Sequence, residues 1–354
     1  MYISGLGTAV PATRYTQAQC WEALQGTPQL EQLDRRAHVV LEKVLLGDSG
    51  IETRHLAVDP ITEVFDNRPD ALHARYTHHA PLLASSAAQQ ALDESGVRAC
   101  DIDALLISTC TGYLCPGLTS YVSERLGLSG SVLALDLVGQ GCGAALPNLA
   151  TADALLASGR RKAVLSICVE VCSAAYYLDN DPGVLVSACL FADGAGAAVL
   201  TRDPARHARP VEWSTSASLH APHERDALRF EQREGLLRNI LTPQVPQLAA
   251  EYAERVLDET LSRRGVPRVA IGTWIWHAGG KRVLEAIQDA LELTPDDMAT
   301  SRDVLNAYGN VSSAFVYFVL QRALRERRRG GWWWMSSFGA GFSCHGALLR
   351  VAGD

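Results

Sequence analysis

The 354-residue chain is predicted to adopt an α/β layered fold, on three observations. Short apolar runs alternate along it with longer segments of helical spacing. Those runs lack period-two polarity, so their strands are covered on both faces. Glycines mark the places where strand or loop gives way to helix, in GQGCGAAL, HAGGKRVL and YGNVSSA.

Taken in order, Tyr2 to Gly7 reads as a first strand, and Gln17 to Leu24 and Leu33 to Leu46 as helices. Gly50 to Val58 reads as a turn into an extended piece, and the polar Asn67 to Tyr76 as loop or short helix. His78 to Ser95 is a long alanine-rich helix. Ala104 to Ser108 is a strand, Tyr121 to Leu126 a helix, and Val132 to Val138 a buried strand. Lys162 to Glu170 is a buried strand, Tyr176 to Gly183 a loop, and Leu190 to Leu200 a glycine-turned hairpin. The polar, proline-bearing Thr201 to Ala217 separates two halves, 1–206 and 207–354. Beyond it come a helix over Val245 to Arg264, a strand over Val269 to Trp276 and helices over Lys281 to Leu293 and Val311 to Arg327. Trp332 to Phe338 and Phe342 to Val351 close the chain as a strand pair. FADGAGAAVL near the end of the first half is echoed by FGAGFSCHGALL in the second, which suggests two similar halves.

Composition narrows the function classes. The net charge of −7 argues against nucleic acid as a partner. The run RALRERRRGGWWW reads as a helix end whose cations complement its dipole, then a buried strand. No apolar run is long enough to span a bilayer, and the N-terminus reads as a first strand and not a signal peptide. The nine cysteines are scattered, odd in number and without a CxxC pair. A reducing cytoplasm is expected, with neither a disulfide framework nor a metal site.

Cys142 stands between Gly141 and Gly143, where an apolar run turns into an Ala/Leu helix. Unpaired N–H groups and the helix dipole there favour a thiolate. Pro147 is tolerated only if the helix starts close to the cysteine, so Cys142 is expected at its very N-terminus. His277 ends an apolar strand ahead of Gly279 and Gly280. Asn310 follows a glycine and opens a helix. A thiolate, a cationic imidazole to lower its pKa, and a His/Asn pair of N–H donors form a nucleophile with an oxyanion site.

With the blocks GQGCGAAL, LFADGAGAAVL, HAGGKRVLEAI, YGNVSSA and FGAGF, nearly the whole chain resembles the thiolase superfamily. The specific resemblance is to the type III polyketide synthases, which are chalcone synthase-like enzymes. The resemblance implies a thiolase-like duplicated layered αβαβα fold. It also implies a cytoplasmic homodimer using an acyl-CoA starter and malonyl-CoA, with no cofactor beyond these CoA thioesters. Cys142 would carry the acyl chain, and His277 and Asn310 would stabilise the enolate left by decarboxylation. Iterative two-carbon extension would end in cyclisation or release of a pyrone, resorcinol or phloroglucinol-type product. The alternative is a ketoacyl carrier-protein synthase III-like enzyme making one condensation. Such enzymes carry a different sequence around the Asn, and usually Gln-Ala-Asn after the His where this chain has Ala-Gly-Gly.

Phe191 matches the family's gatekeeping phenylalanine, whereas the second gatekeeping aromatic falls at Asn239. Phe230 stands where chalcone synthases have glycine, which should shrink the cavity. Cys110, Thr111, Cys172, Ala175 and Ser312 match other cavity positions. Cys115 falls where the family often reaches across the dimer interface. The family's proline after the catalytic His is Ala278, and its basic residues are missing around Val44 and Asp48. Lys43, Arg54, Lys281 and Arg282 are then the candidates for the CoA phosphates.

Overall fold

A computed structural model describes residues 1–204 and 209–353. The first half holds β1 (Tyr2–Ala9), β2 (Arg14–Thr16), α1 (Gln17–Leu24), α2 (Pro28–Glu31), α3 (Arg35–Leu46), β3 (Thr53–His55), α4 (Pro69–Ser95), β4 (Ala104–Ser108), α5 (Leu118–Leu126), β5 (Leu133–Leu137), α6 (Ala145–Ala157), β6 (Ala163–Glu170), α7 (Pro182–Leu190) and β7 (Gly194–Thr201). The second holds β8 (Val211–His220), β9 (Leu228–Arg233), β10 (Leu236–Leu241), α8 (Val245–Arg264), β11 (Ile271–Trp276), α9 (Lys281–Ala290), α10 (Pro295–Tyr308), α11 (Phe315–Arg325), β12 (Gly331–Gly339) and β13 (Ser343–Val351). The expected boundary at 206/207 lies outside the described residues.

Nine strands run in the order β11-β12-β13-β8-β1-β7-β6-β4-β5. Only two residue pairs, Tyr2 with Glu212 and Ile3 with Val211, join β1 to β8. Pairing repeats on either side of that seam. β4 is parallel to β6, which is antiparallel to β7, which is antiparallel to β1. Likewise β11 is parallel to β12, which is antiparallel to β13, which is antiparallel to β8. α4 covers the first set of strands and α8 the second, while α6 and α11 contact strands of both. This is an αβαβα layering. Of the two middle helices α11 is almost wholly buried, whereas α6 keeps Ala154 and Ala157 exposed.

Several expectations need correction. The helix over His78 to Ser95 begins already at Pro69 and runs for 27 residues, through Pro81. Leu72, Tyr76 and Ala80 keep its buried face at helical spacing, so the polar stretch before it is the outer side of a first turn. Tyr176 to Gly183 leads into α7, which Asp181 caps through the amides of Gly183 and Val184. Leu190 to Leu200 is therefore no hairpin: it is the end of α7 followed by β7. The turn between them is held by the buried carboxylate of Asp193, which accepts from the amides of Ala57 (2.6 Å) and Ser173 (2.8 Å). Val132 to Val138 is not a buried strand. β5 is the sheet edge, with alternate residues exposed, and Val138 is exposed too.

β2, α2, β9, β10 and α10 went unassigned from sequence, and the stretch read as a polar separator, Thr201 to Ala217, enters β8 at Val211. α10 starts at a capping box in which Thr294 and Asp297 bond each other's backbone. The hairpin β9–β10 turns at Glu234 and Gly235, both with positive φ, the geometry of a tight two-residue turn.

Gly339, in the FGAGF segment, lies against the turn at Gln140 to Gly143. A Cβ there would overlap the Gln140 carbonyl and the Gly143 amide. Gly339→Ala is therefore expected to cost about 1–3 kcal/mol by overpacking, read as a lowered Tm. An unchanged Tm would show that the turn can retreat.

Candidate functional site

A short 3₁₀ turn, Gly141–Gly143, leads directly into α6. Pro147 is the third residue of α6, so Cys142 does lie at the start of the helical segment. Cys142 Sγ is 3.2 Å from Ser312 Oγ. The Ser312 amide donates to Asn310 Oδ1 (2.9 Å), and Asn310 Nδ2 donates to the Gly279 carbonyl (3.3 Å). Gly279 lies two residues past His277. One hydrogen-bonded path thus links the three glycine-turned segments that the sequence singles out. The same bonds fix the Asn310 amide, because only its oxygen can accept from Ser312 and only its nitrogen can donate to Gly279. Its second N–H has no protein acceptor among the described residues and is free for an oxyanion.

His277 follows β11, with its amide on the Ser336 carbonyl (2.9 Å). Its ring packs edge-on against Phe315 and Phe338. Nδ1 is buried without a partner, and burial pushes the imidazole down to about 3. Burial also pushes the Cys142 thiol up to about 12; the Ser312 hydrogen bond opposes this and the Glu170 charge adds to it. Burial thus works against the expected thiolate and imidazolium at both groups, opposing the helix terminus.

Phe191 caps α7, and its backbone bridges that of Asn310. Arg54 lies beneath this junction. It is 4% exposed and donates through Nη1 to the carbonyls of Ala188 (2.8 Å) and Phe191 (3.0 Å). Its assignment to CoA phosphates is overturned: the guanidinium ties down the end of α7. Lys281, by contrast, opens α9 and pairs with Asp48, holding that carboxyl below its usual range. Lys43 and Arg282 are exposed.

Two cavities adjoin the site. A narrow one of about 50 Å³ is lined by Phe191, Asn239, Ser187, Cys172, Ala175 and Ser312. Leu24, Leu56, Ile61 and Val64 add apolar lining to it. A wider one of about 540 Å³ runs past Tyr76, Gly139, Gly141, Leu237 and Ala340. Cys110, Thr111 and Phe230 line both, so the Phe230 ring stands between them. Phe230 and Asn239 face each other across the β9–β10 ladder. Asn239 Nδ2 donates to Ser187 Oγ (2.8 Å), while its Oδ1 is buried and unpartnered. Asn239 thus presents an amide at the position that the resemblance gives to a gatekeeping aromatic.

Glu170 escaped the sequence reading. It ends β6, is fully buried, and accepts from Cys110 N (3.0 Å), Thr111 Oγ1 (2.9 Å), Cys110 Sγ, Ser312 Oγ, Ser313 Oγ and Thr109 Oγ1. A carboxylate closing an otherwise apolar strand, KAVLSICVE, is the signal that was available.

Comparison with known proteins identifies the family. The family described as "FAE1/Type III polyketide synthase-like protein" matches residues 9–214, and "Chalcone and stilbene synthases, C-terminal domain" matches residues 214–352. The chain belongs to the type III polyketide synthases. It is therefore an acyltransferase with a thiolase-like fold. A 3,5-dihydroxyphenylacetyl-CoA synthase of Streptomyces toyocaensis is 32% identical over 92% of this chain and 83% of its own. A 1,3,6,8-tetrahydroxynaphthalene synthase of Streptomyces peucetius subsp. caesius is 32% identical over 98% of this chain and 92% of its own. Among solved structures, the tetrahydroxynaphthalene synthase of Streptomyces coelicolor superposes with a TM-score of 0.88 at 25% identity, covering 100% of both chains. PKS-I of the brown alga Ectocarpus siliculosus gives 0.90 at 26% identity, over 99% of this chain and 98% of its own.

Two measurements check this geometry. Arg54→Met should lower the Tm, with any change in the KM for CoA thioesters secondary to that loss. The second concerns His345 on β13, which packs on Gly143 and is pushed down to about 4 by burial and by His220. The unfolded state binds its proton first, so this contribution is intact above about pH 6.5 and is lost as pH falls toward 4. The loss is roughly 3 kcal/mol. A Tm series over that range should fall more steeply in the natural protein than in His345→Gln.

Proposed function

We propose that this polyketide synthase loads an acyl group from a CoA thioester onto Cys142 and extends it with malonyl-CoA. The carrying observation is the hydrogen-bonded path Cys142–Ser312–Asn310–Gly279, which places a thiol at a helix start beside an amide whose free N–H is held in place. Decarboxylation of malonyl-CoA would leave an enolate oxygen on that N–H and on the His277 ring, a neutral donor suited to a developing anion. The enolate carbon attacks the Cys142 thioester, the C–S bond breaks, and the acyl chain is longer by two carbons. Repetition within the cavities shaped by Phe230, Phe191 and Asn239 precedes cyclisation or release. The relatives' names favour an aromatic product over a linear one. This chemistry of CoA thioesters needs no metal or prosthetic group.

Lys281, Arg282 and Lys43 are the proposed contacts for CoA phosphates, with Lys281 exchanging Asp48 for the ligand. A homodimer is supported by the open edge of β5 and by the exposed Tyr113, Cys115 and Val138 nearby. None of the described helices is long and apolar enough to cross a membrane, and the nine cysteines are free, which is compatible with the cytoplasm.

Incubation with a panel of starter CoA thioesters and malonyl-CoA, without carrier protein, should give pyrones or resorcinols detectable by mass spectrometry. Strict dependence on a carrier protein would favour single condensation instead. Cys142→Ala is expected to abolish product, and undiminished product would overturn the mechanism. Phe230→Gly should join the two cavities and shift products toward longer chains; an unchanged spectrum would show that the ring does not limit growth.

A further inference from the structure

We infer that Arg238 is a positioning residue: it ties the β9–β10 ribbon to the loop ahead of α7 and so sets how bulky an acyl group the cavities admit. This rests on the proposed use of acyl-CoA thioesters. Arg238 lies on β10 and lines neither cavity. Its neighbour across the ladder is Glu231 on β9, just as Asn239 stands opposite Phe230. Successive residues of a strand face opposite sides. Arg238 and Glu231 therefore share the outer face of the ribbon, while Phe230 and Asn239 line the narrow cavity from its inner face.

The ribbon has no sheet to hold it, because β9 and β10 pair only with each other. Arg238 holds it with all three guanidinium nitrogens. Nε donates to Asp179 Oδ2 (2.6 Å) and Nη1 to Glu231 Oε1 (2.9 Å), while Nη2 stands 3.6 Å from Asp181 Oδ2. The side chain is 12% exposed, so salt screens these pairs less than surface pairs. The other end of the tie is a fixed post. Asp181 caps α7 through the amides of Gly183 and Val184, and its own amide donates to Asp179 Oδ1 (2.8 Å). Asn180 Oδ1 accepts from the amide of Asp34, ahead of α3 (2.8 Å). β10 also meets α7 through the Asn239–Ser187 bond and where Gly183 lies against the Leu241 carbonyl. Those contacts hold the base of the ribbon, and Arg238 holds it nearer the turn.

The charges at this seam give the tie its leverage. Three carboxylates meet at Arg238, two on the post and one on the ribbon. Without the guanidinium, Glu231 would face Asp179 and Asp181 and be repelled. Arg229 also reaches Glu231, at 3.3 Å, but both stand on β9, so that pair does not cross the seam. Among the described residues no other cation pairs with Asp179 or Asp181. Loss of Arg238 turns an attractive seam into a repulsive one and pushes the ribbon outward. Phe230 adjoins Glu231 and moves with it, so the ring between the two cavities withdraws and a bulkier acyl group fits.

The test compares Arg238→Gln and Arg238→Lys with the natural residue in the full-length protein, all carrying Cys142→Ala so that no acyl transfer intervenes. Hydrogen exchange followed by mass spectrometry reads the ribbon. Peptides from 228–241 should exchange about tenfold faster in Arg238→Gln, with the charge-keeping Arg238→Lys in between. Calorimetry reads selection, as the ratio of the Kd for acetyl-CoA to that for benzoyl-CoA. The ratio should rise about tenfold in Arg238→Gln, as the bulkier thioester gains, and by less in Arg238→Lys. A merely structural role would weaken both thioesters alike and leave the ratio where it was. Unchanged exchange in the ribbon, or faster exchange with an unchanged or lowered ratio, would overturn the inference. Asp179→Asn loosens the tie from the post and leaves the ribbon's own sequence intact. It should move both readouts in the same direction, which keeps the test decisive if Arg238→Gln fails to fold. Neither readout needs acyl loading or extension, so failure here is separable from failure of the Cys142 mechanism.

Discussion

A single buried carboxylate organises the reactive end of this molecule. Glu170 sits at the end of a strand, wholly shielded from solvent, and an unpaired ion there would cost several kcal/mol. Its hydrogen bonds come from the loop after β4 and from the segment ahead of α11. Those segments cannot move without stranding the charge. Their fixed positions in turn set Ser312, then Asn310 and the Cys142 turn. The site is rigid because an expensive group has to be satisfied.

The repeated halves explain where that group lies. The strand sets meet at only two residue pairs, so the two middle helices carry much of the cohesion between them. Both start at the same end of the layers, one just after Cys142 and the other just after Asn310. Burial there sets the chemistry. A helix terminus stabilises a thiolate by about 1 kcal/mol, whereas loss of water shifts the thiol by several pKa units. Burial therefore opposes the charged form of both Cys142 and His277.

Cys142, His277 and Asn310 were legible because glycine marks each strand or loop end, and Pro147 fixed how close the cysteine must lie to its helix. Charged residues were less legible, because charge alone does not reveal burial. Arg54 looked like a surface cation and is locked under α7, while Glu170 passed as an ordinary strand end. The start of α4 was hidden by its polar outer face. Phe230 was recognised as a bulky intrusion, but not its place on a hairpin opposite Asn239, since that pairing depends on a turn that was not foreseen.

That hairpin has a further consequence. β9 and β10 pair only with each other, outside the nine-stranded sheet. The residues that bound the cavity on this side therefore ride on a ribbon, while Cys142 and Glu170 are set at the ends of a middle helix and a sheet strand. Selection can reshape the mould without disturbing the press. Divergence in product within such a lineage would accumulate as substitutions along this ribbon, with the reactive centre left as it is.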